Sequence, residues 1–569
     1  MLLADLSKMR MSALTRHDVT LIGILGVLAA CGLIYEYILA HYAGRILGSL
    51  ESTIYTMIGL MIVSMGIGAF LANTIKDAFT GFAWLESCIG IIGSLSIPVM
   101  AAIYALSYTL PDQLNHLYGV HHSIPVGGNI PLFLSTLAGL IPYITGFVLG
   151  LLVGMEIPLI ARVRTHVHKK HLEHNFGTMY GADYIGAGIG AAIWIIFCLS
   201  APILMVALYT ALANVIIGMT FLYIYQKDIK GAVILWPIHI VVLAFIGIMI
   251  LQGDRWISSL NDMLYKDTVM YSELSEFQNI VITKQTVSAK TPTVYKLFLN
   301  NKLQFSSADE KIYHAMLTYP ALLASARQEH ILVVGGGDGL ATRDILKWNP
   351  KTVTLLELDP KMIALFSGNS QNEQLNNVVK ELNEESLQDP RLTIIYGDAF
   401  VNVRKLLAEE KHFDTIIVDL PDPSHPDLNK LYSDVFYANL KTLLNGDGAI
   451  AIQSSSPYHS KEAFISVGKT LEKVDFITQQ YHTNVPSFGE WGWTIGTVRG
   501  KSASLRIEEA PLSVVNSWIS KNQLLAAFSF SPDYFDNRER IEANGSDSHT
   551  IYRYHHDAWV KNKGIFYYK

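Results

Sequence analysis

In the second half of this 569-residue chain, four acids sit where a strand gives way to a loop. They are Asp338 in the run GGGDG, Glu357 closing TVTLLE, Asp398 after LTIIYG, and Asp419 closing TIIVD. Asp422 follows three residues later, in the pattern Asp419-Leu-Pro-Asp422-Pro423. A strand ending in a polar turn accounts for Asp and Pro alone. Two carboxylates so close together, at the mouth of a site already lined with acids, point instead to chemistry on a cation. Together they suit a diammonium substrate, one acid aligning an amine and receiving its proton as it attacks. Holding the amine in line with an electrophilic carbon supplies much of the remaining acceleration.

The glycine run narrows the electrophile. A strand, ILVV, runs straight into GGGDGLATRDILKW, which reads as strand, glycine loop and helix. An acid some twenty residues on, Glu357, fits a ribose diol. The loop lacks the third spaced glycine of a dinucleotide fingerprint and carries Asp338 where pyrophosphate would lie. A carboxylate there repels phosphate and suits a cationic sulfonium nucleoside.

The elements that position these acids are strands alternating with helices, expected to continue to about residue 500. The pattern is that of an α/β doubly wound, Rossmann-like domain of the S-adenosylmethionine-methyltransferase type. Its ligands sit at the carboxyl ends of the strands, where all four strand-end acids fall. Ahead of it, NIVITKQ, VYKLFLN and NKLQFSS read as a β-hairpin subdomain, followed by a helix from about Asp309.

The first half is a different solvent problem. Only 17 of 235 residues between Val19 and Gly253 are charged, against 70 of the 316 that follow. Seven apolar stretches, near 20–43, 53–73, 83–108, 131–160, 180–200, 202–225 and 232–251, are each long enough to cross a bilayer. The expected organisation is a multi-pass α-helical membrane domain (1–253), an amphipathic connector (254–274), a catalytic domain (275–505) and a tail (506–569). The first stretch follows a basic head, yet it is too long for a signal-peptide core and lacks a cleavage pattern, so it reads as a retained anchor. Small residues cluster in GIGAF and GADYIGAGIGAA, as where helices approach closely.

Glu36, Glu86, Glu156 and Asp183 lie inside or at the margin of these stretches. Intramembrane acids are costly and mark a cation path or a polar pairing within the bundle. Cys31, Cys88 and Cys198 all fall in apolar runs and suggest neither disulfide nor thiolate metal site. The soluble part carries 32 basic against 38 acidic residues, which excludes a simple nucleic-acid binder.

Orientation is contested within the sequence. Lys8, Arg10 and Arg16, then Arg162, Arg164, Lys169 and Lys170, then Lys227 and Lys230, place the N-terminus inside by the positive-inside rule. Seven crossings then leave the α/β domain outside, whereas its chemistry calls for a cytosolic cosubstrate.

In order, LNNKLQFSSADEKIYHAM, VVGGGDG, LLELD, YGDAF and DLPDPSHP resemble the spermidine synthases, the polyamine aminopropyltransferases. The N-terminal helices, VPSFGEWGW, and a tail of FSPDYFD, EANGS and YRYHHDAW extend the resemblance to the membrane-fused bacterial branch of that family. The resemblance implies aminopropyl transfer from decarboxylated S-adenosylmethionine to a diamine such as putrescine, giving spermidine and methylthioadenosine. It calls for no metal and no permanently bound cofactor. It implies Asp419 as proton acceptor, Asp422 as amine-binding acid, and His314 with Tyr313 as substrate contacts. Gln278, Glu357 at the ribose, Asp398 with Ala399 at the adenine side, and Pro426 fall on the thioadenosine contacts. Asp338 would face the aminopropyl ammonium, while Gln304 and Glu490 are divided between contact and scaffold roles.

Three departures from the soluble pattern stand out: Leu420-Pro421 between the two acids, Pro486-Ser487-Phe488-Gly489-Glu490-Trp491 in place of a tyrosine-bearing loop, and Ala315 for the usual glutamate. The second leaves room for an amine acceptor other than putrescine. Partners implied are a diamine or polyamine, a sulfonium nucleoside and membrane lipid in a bacterial inner membrane. Homo-oligomers are common among the soluble relatives. Two rivals stay open here, a methyltransferase on the same fold and a membrane polyamine sensor or transporter. Asp338 argues against the first, since it would meet the carboxylate of ordinary S-adenosylmethionine badly.

Overall fold

Long apolar runs separated by short polar joints fold as helices α1 (Leu2–Leu47), α2 (Leu50–Leu71), α3 (Ala78–Tyr118), α4 (Asn129–His168), α5 (Asn175–Ile193), α6 (Ile203–Tyr225) and α7 (Ala232–Tyr265). The computed structural model describes residues 2–47, 50–118, 129–168, 175–199, 201–265, 267–275, 277–286, 291–300, 302–514 and 518–562. It divides into two units, Met1–Val269 and Met270–Lys569. Among the described residues of the first, seven stretches are long and apolar enough to cross a membrane, from His17–Gly44 to Ala232–Gly253.

Two pairs of these helices meet backbone to backbone. A Cβ on Gly186 would lie 2.1 Å from the Gly26 carbonyl oxygen, and one on Gly190 2.7 Å from that of Ala30, so α5 rests on α1. Gly68 and Gly154 do the same for α2 and α4, where a Cβ would stand 2.0 Å from the Leu151 oxygen and 2.1 Å from that of Met65. These are the small-residue runs read from the sequence, and dispersion between close backbones is what they provide. Two of the basic residues after the fourth stretch are engaged. Arg162 donates to the carbonyls of Ala72, Ile75 and Lys76, and Arg164 pairs with Asp18 at 2.9 Å. Lys169 and Lys170 lie outside the described residues.

The expected connector over 254–274 is revised. Helix α7 continues to Tyr265, and Thr268–Leu274 forms a strand, β1. That strand was missed because its side chains are mostly half-buried, which blurs the alternation of an amphipathic strand. It opens a four-stranded sheet in sequential order with β2 (Asn279–Gln285), β3 (Val294–Leu299) and β4 (Lys302–Ser306). Helix α8 (Glu310–Ala324) follows and is buried almost throughout.

The second sheet holds β5 (His330–Gly335), β6 (Thr352–Glu357), β7 (Leu392–Tyr396), β8 (Phe413–Asp419), β9 (Leu444–Gln453), β10 (Ile477–Val485) and β11 (Gly489–Thr497). Its order is β10-β11-β9-β8-β5-β6-β7. The five strands β5 to β9 pair in parallel, and Ile331–Val334 are wholly buried, as a parallel sheet covered on both faces requires. The expected strand–helix alternation to residue 500 fails at the end, because the turn after Val485 returns β11 antiparallel to β10. From β5 the chain builds outward through β6 and β7, then crosses back to β8 and β9, which opens a crevice at the carboxyl ends of β5 and β8. The tail folds onto this unit: the Asn544 amide donates to the carbonyls of Asn429 and Tyr432, and Ile551 is fully buried.

Candidate active site

The parallel register places Gly335 opposite Asp419, so the glycine loop and the last acid of β8 are neighbours by construction. Gly335, Gly336 and Gly339 have φ of +80°, +77° and +79°, a left-handed turn that side chains resist. A Cβ on Gly336 would stand 3.1 Å from Asp419 Oδ2, so that oxygen lies over a bare stretch of backbone. The other, Oδ1, accepts the Tyr313 hydroxyl at 2.9 Å. Burial raises the Asp419 pKa and the Asp338 charge adds to it; His314 and the Tyr313 hydrogen bond restrain it, leaving about 6.

Helix α8 delivers Tyr313 and His314 to this point. His314 Nδ1 sits 2.8 Å from the Glu310 carbonyl oxygen and 3.0 Å from its carboxylate. Glu310 in turn pairs with Arg343 at 2.9 Å through both carboxylate oxygens, and both side chains are shielded from solvent. Burial alone would lower the His314 pKa; the Glu310 hydrogen bond and the charges of Glu310, Asp338 and Asp419 outweigh it and raise it to about 9. Beside the ring of Tyr313 lie Phe488, at 6.0 Å between centroids and edge-on, and Trp493, at 5.6 Å. The turn carrying Phe488 is tied down by Asp309, which accepts from the Ser487 amide at 2.6 Å and hydroxyl at 2.9 Å.

Asp422 is held differently. One oxygen accepts Gln453 Nε2 at 2.7 Å, and the other lies 3.3 Å from His555 Nε2. Burial would raise its pKa, but the hydrogen bonds from His555 and Gln453 and the charges of His555 and Lys302 outweigh it and hold it below the ordinary carboxylate value. Two acids three residues apart thus have environments that push their pKa values in opposite directions, the pattern that separates a proton acceptor from a fixed anion.

Glu357 closes β6 and accepts the Asp359 amide at 2.8 Å. A Cβ on Gly337 would meet its Oε2 at 2.6 Å, so it lies against the glycine loop. Burial, with the charges of Asp359 and Asp338, raises its pKa to about 7. Gln278 reaches the same corner from the small sheet, donating to Asp359 Oδ2 at 3.1 Å. Asp338 accepts the Leu340 amide at 3.0 Å just before the following helix, and burial raises its pKa. Asp398 caps the helix Ala399–Ala408 and also pairs with Lys430, which belongs to the short turn begun by Pro426.

The structure therefore gathers Asp419, Tyr313, His314 and Asp338 into one cluster, places Glu357 and Gln278 beside it, and sets Asp422 a short loop away. Asp398, Ala399 and Pro426 border a second edge joined by Lys430. Gln304 and Glu490 are not drawn in: Gln304 donates to the carbonyl of Lys302, and Glu490 pairs with His482 on the adjacent strand. Sequence reasoning missed Gln453 and His555. Gln453 ends a parallel strand exactly as the acids do and was open to the same rule; His555 had no local signal.

A family model for the spermine/spermidine synthase domain matches residues 310–507. The polyamine aminopropyltransferase of Shewanella oneidensis is 48% identical over 552 residues, covering 96% of each chain. Polyamine aminopropyltransferase 1 of Streptomyces coelicolor is 31% identical over 488 residues, covering 84% of each. Among solved structures, a spermidine synthase from Thermotoga maritima aligns over 48% of this chain and 87% of its own, with 22% identity and a TM-score of 0.39.

Proposed function

The chain belongs to the polyamine aminopropyltransferases, and from that premise we propose how its site moves an aminopropyl group from decarboxylated S-adenosylmethionine to a diamine such as putrescine. The reaction is a direct displacement. The amine nitrogen forms a bond to the carbon beside sulfur, the carbon–sulfur bond breaks, sulfur keeps the electron pair, and methylthioadenosine leaves uncharged. The proton lost by nitrogen passes to Asp419 Oδ2, the oxygen not engaged by Tyr313.

The observation that carries this reading is the opposite tuning of the two acids. Asp419, with a pKa of about 6, is ionised at neutral pH and still basic. Asp422, held ionised by Gln453 and His555, anchors an ammonium without taking its proton. Asp338 faces the ammonium of the aminopropyl chain, Glu357 and Gln278 take the ribose side, and Asp398, Ala399 and Pro426 take the adenine side. Phe488, against Tyr313, lends the amine pocket an apolar wall where soluble members carry a tyrosine.

The seven apolar stretches cross the bacterial inner membrane, with the α/β unit in the cytoplasm where its cosubstrate is made. This orientation overrides the basic residues before the first stretch and after the fourth and sixth, and reporter fusions at the joints test it. For the reaction, purified full-length protein in detergent is incubated with decarboxylated or ordinary S-adenosylmethionine and a panel of diamines, and products are followed by mass spectrometry. An added aminopropyl group with methylthioadenosine release is expected from the decarboxylated donor alone. Methyl transfer from the ordinary donor would overturn the assignment.

A further inference from the structure

The helical unit carries a second set of buried acids. Tyr35 on α1, Glu86 on α3, Glu156 on α4 and Asn214 on α6 are each at most 2% exposed. Tyr35 lies within electrostatic range of both carboxyls, and Glu156 is within range of Glu86 and of Asp183 on α5. Asn214 donates to Glu86 Oε2 at 3.2 Å. Four atoms of the cluster are nonetheless buried with no hydrogen-bond partner among the described residues: the Tyr35 hydroxyl, Glu86 Oε1, Glu156 Oε1 and Asn214 Oδ1.

The packing around them is built rather than loose. The Tyr35 hydroxyl fills the notch over Gly93, where a Cβ would stand 2.2 Å away. Gly218 on α6 gives room to Glu86, since a Cβ there would meet the Glu86 Cβ at 2.9 Å and His239 Nε2 at 2.6 Å. The His239 ring is itself held by the Leu235 carbonyl at 3.0 Å and Ser87 at 3.2 Å. Buried polar atoms are almost always satisfied, and an unpaired buried carboxylate costs several kcal/mol. Each of the four atoms can accept a hydrogen bond, the Tyr35 hydroxyl can also give one, and two carboxylates call for positive charge.

We propose that this cluster binds a polyamine, with its separated ammonium groups shared among Glu86, Glu156, Tyr35 and Asn214. Each ammonium brings three donors to an acceptor-rich cluster, whereas a single proton brings one. Among the described residues no three His, Cys, Asp or Glu side chains converge as a metal set, which disfavours a compact metal ion. The choice of a polyamine over other organic ammonium ions rests on the catalytic reading above.

Equilibrium binding of radiolabelled spermidine to the full chain in nanodiscs tests it, with turnover measured separately on the unsubstituted protein. In Asp422→Asn, which weakens the catalytic amine site, one spermidine per chain is expected to remain bound. Adding Glu86→Gln and Glu156→Gln is expected to weaken that binding by about tenfold or more, as for loss of charged hydrogen bonds. Binding already lost in Asp422→Asn, or unchanged in the triple variant, overturns the site. Failed turnover of the unsubstituted protein, with binding retained in Asp422→Asn, would count against the catalytic reading alone. A measurement on the unsubstituted chain guards against misfolding: a hydrophobic carbodiimide should modify Glu86 or Glu156 several-fold more slowly with spermidine present, and equal rates would overturn the proposal.

Discussion

In the α/β unit the acids Asp422 and Glu310 carry donors on both oxygens; in the helical unit Glu86 and Glu156 each have an oxygen with none among the described residues. Asp422 has Gln453 on one oxygen and His555 on the other, and Glu310 has Arg343 across both. Glu86 has Asn214 on one oxygen and nothing described on the other. The first arrangement fixes a charge in place before any substrate arrives, which is what preorganised catalysis asks of its dipoles. The second leaves the charge to be answered by something that comes and goes.

The sharpest way to test the first half of that contrast is Asp419→Asn. Turnover should fall by roughly a thousandfold, the scale of a lost general base in a positioned site. Methylthioadenosine affinity, read by calorimetry, should stay within about twofold; retained turnover would remove Asp419 as proton acceptor.

Next in size are two matched substitutions. Glu310→Gln strips a buried pair of one partner and should cost the α/β unit about 3–5 kcal/mol in denaturant unfolding. Glu86→Gln removes a charge with no such partner and should leave the thermal unfolding of the helical unit unchanged or raise it. Equal losses in both would erase the distinction between furnished and unfurnished acids.

His555→Ala should raise the diamine KM about tenfold with kcat nearly intact, because it unfastens one oxygen of Asp422 without touching the reacting atoms. His555→Gln keeps a donor and should recover much of the loss. A fall in kcat at unchanged KM would move His555 out of this positioning role.

The smallest effect concerns pH. With the sulfonium donor saturating, kcat/KM for the amine should decline as pH falls through about 6, because protonated Asp419 can accept nothing. Asp338→Asn removes a like charge, so the decline should begin at lower pH in that variant. A limb that does not move would show that burial alone sets the Asp419 value.

The strand-end acids were legible because a parallel sheet delivers the end of every strand to one edge, and a pattern of β-branched runs shows where those ends fall. The helical stretches were legible from apolar length alone. What stayed hidden depends on contacts distant in sequence. Asp398 reads from sequence as a nucleoside contact on the adenine side, and nothing local announces that it is also paired with Lys430, 32 residues on. Nothing in YRYHHDAW marks His555 as the histidine that turns toward Asp422, since that depends on how the tail packs. The strand Thr268–Leu274 escaped because its half-buried faces carry little alternation.

The His555 contact also has a consequence in time. Its two partners are 133 residues apart, and the histidine is the later one. At about 5–20 residues per second, the ribosome takes roughly 7 to 27 s to reach His555 after Asp422 has been made. Through that interval the sheet and its proton acceptor can form while the amine anchor still lacks a hand on one oxygen. The nascent enzyme should thus gain its nucleoside site first and its tight grip on the diamine last.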